Sequence, residues 1–86
     1  MILSWAEKAW EDYLFWQQTD KKRLKRINTL IKAIKRDSFA GLGDPEPLKH
    51  NWSGYCYWSR RIDREHRLVY KVTDETIIVV QCRYHY

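Results

Sequence analysis

The spacing of apolar side chains changes partway along the chain, and that change restricts the fold more than any other feature. From residue 6 to about residue 36, apolar residues recur at three-and-four spacing, as in a helix with one face on a core. From residue 55 to about residue 84 they alternate with a period of two, the mark of strands covered on one face. Between these regions, residues 37–48 hold two of the three glycines (Gly41, Gly43) and both prolines (Pro45, Pro47), and read as an ordered loop. This division predicts an α+β domain: two N-terminal helices packed on one face of a mostly antiparallel twisted sheet of four to five strands.

Residues 2–5 open as a short strand, and Ser4 with Glu7 makes the S-x-x-E signature of a helix start. On the first helix Ala6, Ala9, Trp10, Tyr13 and Leu14 form the apolar stripe, leaving Glu7, Lys8, Glu11 and Asp12 for water. Thr19-Asp20 offers the next N-cap, after which Leu24, Ile27, Leu30, Ile31 and Ile34 line a second helix ending near Arg36. Its other faces are basic. Lys21, Lys22, Arg23, Lys25, Arg26, Lys32, Lys35 and Arg36 supply half of the 16 Lys and Arg, with no acidic residue among them. Strands are expected at residues 55–62, 66–72 and 77 to about 84, and the short turns at Asp63-Arg64-Glu65 and Thr73-Asp74-Glu75 favour an antiparallel meander.

The 86 residues are read as one domain, residues 1–86, of a size that buries only about 60% of its unfolded surface. Hydrophobic residues at 44% and aromatic residues at 15% argue for a packed core over disorder. A formal charge of +5 marks a protein that meets phosphate, without separating RNA from DNA or an anionic membrane. The longest aliphatic run, Ile77-Ile78-Val79-Val80, is far short of the roughly 20 residues a bilayer requires. Met1-Ile2-Leu3-Ser4 does not open a signal peptide, so a cytoplasmic location is the default expectation. Cys56 and Cys82 form no CxxC pair and are read as buried reduced thiols; His50, His66 and His85 lack metal-ligand spacing, so no metal or cofactor is expected.

Several residues could carry chemistry. Glu46 lies between Pro45 and Pro47, which stiffen its backbone; it is either a solvated loop carboxylate or a carboxylate held on a rigid support. Lys49 and His50 follow, and Arg60, Arg61, Arg64 and Arg67 crowd the hairpin, where they could bind phosphate or pair with Asp63 and Glu65. Alternation puts Arg67, Val69 and Lys71 on one face and His66, Leu68, Tyr70 and Val72 on the other; Leu68, Tyr70 and Val72 are the better core candidates, which leaves Arg67 towards the open side. The sequence closes Arg83-Tyr84-His85-Tyr86, where the imidazole could exchange a proton near neutrality and the rings could stack on bases, unless the segment frays. A carboxylate, several cations and a histidine together match the needs of RNA cleavage: a base for the 2′-hydroxyl, charge for the phosphorane and an acid for the departing 5′-oxygen.

These motifs resemble one family across nearly the whole chain. Trp10-Glu11-Asp12-Tyr13-Leu14 with Trp16, Phe39-Ala40-Gly41-Leu42-Gly43, Pro45-Glu46-Pro47-Leu48-Lys49-His50, Trp58-Ser59-Arg60-Arg61-Ile62, Glu65-His66-Arg67-Leu68-Val69-Tyr70 and Arg83-Tyr84-His85-Tyr86 are similar to the YoeB-type toxins of the RelE/ParE superfamily. The resemblance implies a RelE/ParE-like fold and a metal-independent endoribonuclease that cuts mRNA in the ribosomal A site, leaving a 2′,3′-cyclic phosphate. It implies Glu46 as general base, His85 as general acid and Arg67 at the scissile phosphate, with Lys49 and Tyr86 in phosphate contact and substrate positioning. It also implies an acidic antitoxin of the YefM/Phd type, contact with operator DNA only through the antitoxin complex, and a possible homodimer. One departure is Tyr55-Cys56-Tyr57 between Gly54 and Trp58, where the family pattern has a single residue; the two extra residues keep strand alternation but lengthen a turn or add a bulge. The competing class is a gyrase-directed ParE-like toxin or a non-catalytic basic module, which the set Glu46, Arg67 and His85 argues against.

Overall fold

The computed structural model describes residues 1–48 and 57–84. Strand β1 (Ile2–Trp5) leads into helix α1 (Glu7–Thr19) and helix α2 (Lys21–Arg36); a loop then carries the two-residue strand β2 (Glu46–Pro47), followed by β3 (Tyr57–Arg61), β4 (Arg67–Val72) and β5 (Thr76–Gln81). The sheet runs β1-β5-β4-β3-β2, antiparallel except for β1, which lies parallel to β5. A parallel pair needs a long crossover, and the two helices belong to the one that joins β1 to the strands beyond.

Ser4 does not cap α1. It pairs with Ile78 inside β1, and the extended run continues as Ala6 N–H donates to Val79 O at 2.9 Å, so Ala6 becomes the N-cap without a side-chain bond. Strand pairing has taken the residue that the capping pattern offered. The second cap is as expected: Asp20 accepts from the backbone N–H groups of Lys22 and Arg23, an arrangement typically worth ~1 kcal/mol.

The core lies between the helices and one face of the sheet. Ile27, Leu30 and Ile34 of α2 and Ala9 and Trp16 of α1 are buried with Leu68, Tyr70, Ile77 and Val79. The expected face of β4 is thus the covered one. Helix α1 is rotated from the expected stripe, however. Trp10 and Leu14 are exposed, whereas Asp12, expected in water, is buried beside Ala9 and Trp16. Its carboxylate is satisfied by Lys8 Nζ at 2.6 Å and by the backbone N–H of Cys82 at 3.1 Å, which is how a charge survives there.

Candidate active site

The loop after α2 is built around a buried cation. Arg60, on the core face of β3, is fully buried and donates to the carbonyl oxygens of Asp37 (2.7 Å), Ala40 (3.0 Å) and Leu42 (2.9 Å), and to the Tyr70 hydroxyl (3.2 Å). Asp37 is the C-cap of α2, so the guanidinium faces the negative end of a helix, which helps hold its charge in the interior. Tyr70 passes a further bond to Ser38 O at 2.7 Å, and burial pushes its hydroxyl above the usual tyrosine value, against the opposing influence of Arg60. Arg60 was expected among the phosphate contacts; the structure corrects this, because its donors are turned inward and committed to the loop.

Gly43 lets that loop approach the sheet. Its φ is +92°, and a Cβ there would meet Leu30 Cδ2 at 2.7 Å and Arg60 Cβ at 3.1 Å. Its carbonyl accepts from Arg61 N–H at 2.7 Å, and Leu48 N–H reaches Tyr57 O at 2.8 Å. Between these anchors Glu46 pairs with Ser59 and Pro47 with Trp58.

Paired residues in a sheet share a face. Glu46 lies opposite Ser59, Ser59 opposite Val69 and Val69 opposite Gln81, while Arg61 lies opposite Arg67, so the face of the sheet away from the helices gathers a carboxylate and cations beside the buried Ser59 and Val69. Arg67 Nη1 donates to Glu46 Oε1 at 3.0 Å; the arginine side chain is only 12% exposed and the carboxylate 52%. The protein therefore holds Arg67 in place and leaves Glu46 reachable. Arg61, exposed, lies 3.8 Å from Asp44, and Arg64 is exposed in the turn that links the strands of Arg61 and Arg67. Asp63 shapes that turn by accepting from the N–H groups of Glu65 and His66.

The end of the described chain is tied beside Arg67. Arg67 N–H donates to Tyr84 O at 3.0 Å, and Tyr84 N–H donates to His66 Nδ1 at 2.7 Å. Helix α1 holds the preceding residues: Trp16 Nε1 donates to Cys82 O at 2.8 Å, and the Arg83 guanidinium stands 3.6 Å from the Phe15 ring centre. Up to Tyr84, then, the chain is anchored to β4 and α1.

Of the residues singled out in the sequence, Glu46 and Arg67 meet, and Arg61 and Arg64 lie near that meeting point in the fold. Lys49, His50, His85 and Tyr86 lie outside the described residues, as do Tyr55 and Cys56 of the lengthened turn. Among the described residues no three His, Cys, Asp or Glu side chains come together as metal ligands, and no helix is long and apolar enough to cross a membrane. The burial of Asp12 and the anchoring by Trp16 were not foreseen; His66, which alternation puts on the face of Leu68, Tyr70 and Val72, is buried as Leu68 and Tyr70 are, and only its bond to Tyr84 was unforeseen. Ala9, Asp12 and Trp16 fall at helical spacing, and that was the available signal for a buried carboxylate on the core face.

Residues 5–86 match the family described as the YoeB-like toxin of bacterial type II toxin-antitoxin systems. The chain is 59% identical over its whole length to Toxin YoeB of Escherichia coli strain K12, itself covered completely. Among solved structures, the YoeB/ParE toxin from Agrobacterium tumefaciens superposes with a TM-score of 0.92 at 52% identity, with 100% of each chain covered. Staphylococcus aureus YoeB, 48% identical, matches as a dimer (TM-score 0.90) and within a heterotetrameric YoeB-YefM toxin-antitoxin complex (TM-score 0.86), covering 100% of this chain and 98% of the other in each case.

Proposed function

Because the chain belongs to the YoeB-like toxins of bacterial type II toxin-antitoxin systems, we propose that it is an endoribonuclease that cuts mRNA in the ribosomal A site by acid–base transesterification, inhibiting translation. The observation that carries this reading is the Glu46–Arg67 pair at 3.0 Å on the sheet face away from the helices, with the carboxylate half exposed. A carboxylate in that position accepts the proton of a ribose 2′-hydroxyl. The resulting 2′-oxygen attacks the adjacent phosphorus, and Arg67, with Lys49, stabilises the negative charge on the phosphorane. Collapse expels the 5′-oxygen, which takes a proton from His85, leaving a 2′,3′-cyclic phosphate upstream and a 5′-hydroxyl downstream. Tyr86 positions the substrate, and His50, Arg61 and Arg64 extend the contact to neighbouring phosphates.

Before RNA arrives, Glu46 and Arg67 neutralise one another. An entering phosphate competes for the guanidinium, which frees the carboxylate next to the group it must deprotonate. Side chains alone thus supply base, cation and acid. The direct test is a purified translation mixture programmed with a defined message, in which wild type produces cuts ending in 2′,3′-cyclic phosphate and Glu46→Gln does not. Cut ends bearing only 3′-hydroxyls would refute the transesterification.

The reading extends to partners. The cations of α2 that face water, Lys21, Lys22, Lys25, Lys32, Lys35 and Arg36, offer an acidic antitoxin of the YefM type a surface to bind, and operator DNA is reached through that complex. Met1 and Ile2 at β1 and Trp10 and Leu14 on α1 are exposed apolar side chains, with Trp10 stacked on Tyr13, and offer surface to a homodimer. Work on ribosomes places the protein in the cytoplasm.

A further inference from the structure

The proposed chemistry makes no use of His66, yet this residue is built into the site. Its side chain is 8% exposed and its ring packs edge-on against Trp16 with centroids 4.8 Å apart. Its Nδ1 accepts the Tyr84 N–H at 2.7 Å, so that nitrogen carries no proton in this arrangement. Nε2 lies 3.9 Å from Glu65. Buried and committed at Nδ1, His66 is not placed to hand a proton to a leaving group.

What it does hold is backbone. Tyr84 has φ +67°, a left-handed conformation that is strained for a non-glycine residue. Two bonds fix it there, one to the His66 ring and one from the Arg67 N–H. The same Arg67 reaches Glu46 of β2 through its side chain, so the proposed base and the last described residue both meet the proposed cation at Arg67.

We propose that His66 is a positioning residue for cleavage: by accepting the Tyr84 N–H it fixes the left-handed backbone of Tyr84, the residue that precedes His85 and Tyr86 in sequence. This rests on the assignment of His85 as the acid. Trp16, through Cys82 O, and Asp12, through Cys82 N–H, brace the same segment from α1. Misplacement of a reacting group by about 1 Å can cost on the order of 100-fold in rate, so an aiming contact of this kind should appear in kcat and scarcely in KM.

The experiment compares acceptor geometry. The amide oxygen of Asn occupies the place of Nδ1, that of Gln the place of Nε2, and Leu has no acceptor. With ribosome-bound message, His66→Leu and His66→Gln should lower single-turnover cleavage by at least about 10-fold with KM within about 3-fold, and His66→Asn should recover most of the rate. Asn no better than Gln, or Leu as fast as wild type, would overturn the proposal. His85→Ala is measured alongside: full activity there removes the parent assignment, whereas a slow His85→Ala beside a fast His66→Leu removes only the role of His66. Amide exchange in the wild-type protein requires no variant, and a Tyr84 N–H that exchanges as freely as an unbonded one also overturns the proposal.

Discussion

Arg67 and Glu46 stand 3.0 Å apart although 21 residues separate them in sequence, because β2 joins the sheet at Ser59 and β3 brings that row alongside β4. The pair is half open to water, so its contribution to stability is roughly 0–1 kcal/mol. On the proposed mechanism its value lies in chemistry. Glu46→Gln and Arg67→Ala should each slow cleavage by at least about 100-fold, while denaturant unfolding shifts by no more than about 1 kcal/mol. Single-turnover kinetics and urea titration on the same preparations check both halves.

Arg60→Met removes a buried guanidinium and leaves the carbonyls of Asp37, Ala40 and Leu42 without their donor. The expected loss is about 3 kcal/mol, in the range for breaking a buried polar network. Activity should fall as well, since the same loop delivers Glu46. Unfolding in guanidinium chloride gives the first quantity and the cleavage assay the second.

Gly43→Ala combines a positive φ with a Cβ only 2.7 Å from Leu30. The expected cost is about 1–3 kcal/mol, the range for overpacking a filled site. An alanine at Gly41, whose Cβ would meet only Arg60 Nη1 at 3.6 Å, escapes the clash and retains the φ penalty alone. Thermal melts of the two variants should rank Gly43→Ala as the less stable.

Acid should weaken the tie between α2 and the β3–β4 turn. For Asp63, burial raises the carboxyl pKa, but the Arg23 hydrogen bond and the N–H groups of Glu65 and His66 outweigh it and leave the value lowered; Asp20 is lowered first by the Arg23 backbone N–H. A carboxylate lowered in the folded state adds stability that is complete above its unfolded value, 3.8, and is lost as the pH falls through the lower folded value. Asp63→Asn should therefore melt below wild type at neutral pH, with the gap closing in acid below 3.8. Calorimetry across that range decides it, and a gap that widens in acid would contradict the ion pair.

Cys82 should resist alkylation in the folded protein. Burial first, and then the nearby Asp12 charge, push its thiol up to about 12, so little thiolate exists at ordinary pH. Iodoacetamide followed by peptide mass mapping should leave Cys82 unmodified until denaturant is added.

The helix-to-strand switch, the α2 stripe and the core face of β4 were legible because each rests on a repeating period that burial enforces over many residues. Glu46 and Arg67 were legible as residue types, but the entry of Glu46 into the sheet was not, because residues 37–48 read as a loop and a two-residue strand leaves no period to detect. Ser4 misled because a capping pattern is local, whereas its partner Ile78 lies at the other end of the sequence. Asp12 misled because a charged residue reads as exposed until the Cys82 N–H that satisfies it is known. Arg60 was grouped with the phosphate contacts since sequence shows its charge and hides the three carbonyls that claim it.

The parallel pairing of β1 with β5 also sets an order of assembly. Ile2–Trp5 finds its partner only after Thr76–Gln81 has been made, and β5 sits inside the sheet, between β1 and β4. A chain emerging from a translating ribosome thus makes both helices before β5 exists, and its sheet cannot close until Thr76–Gln81 is available. If the finished fold is what halts protein synthesis, its own topology withholds that capacity until β5 has been made.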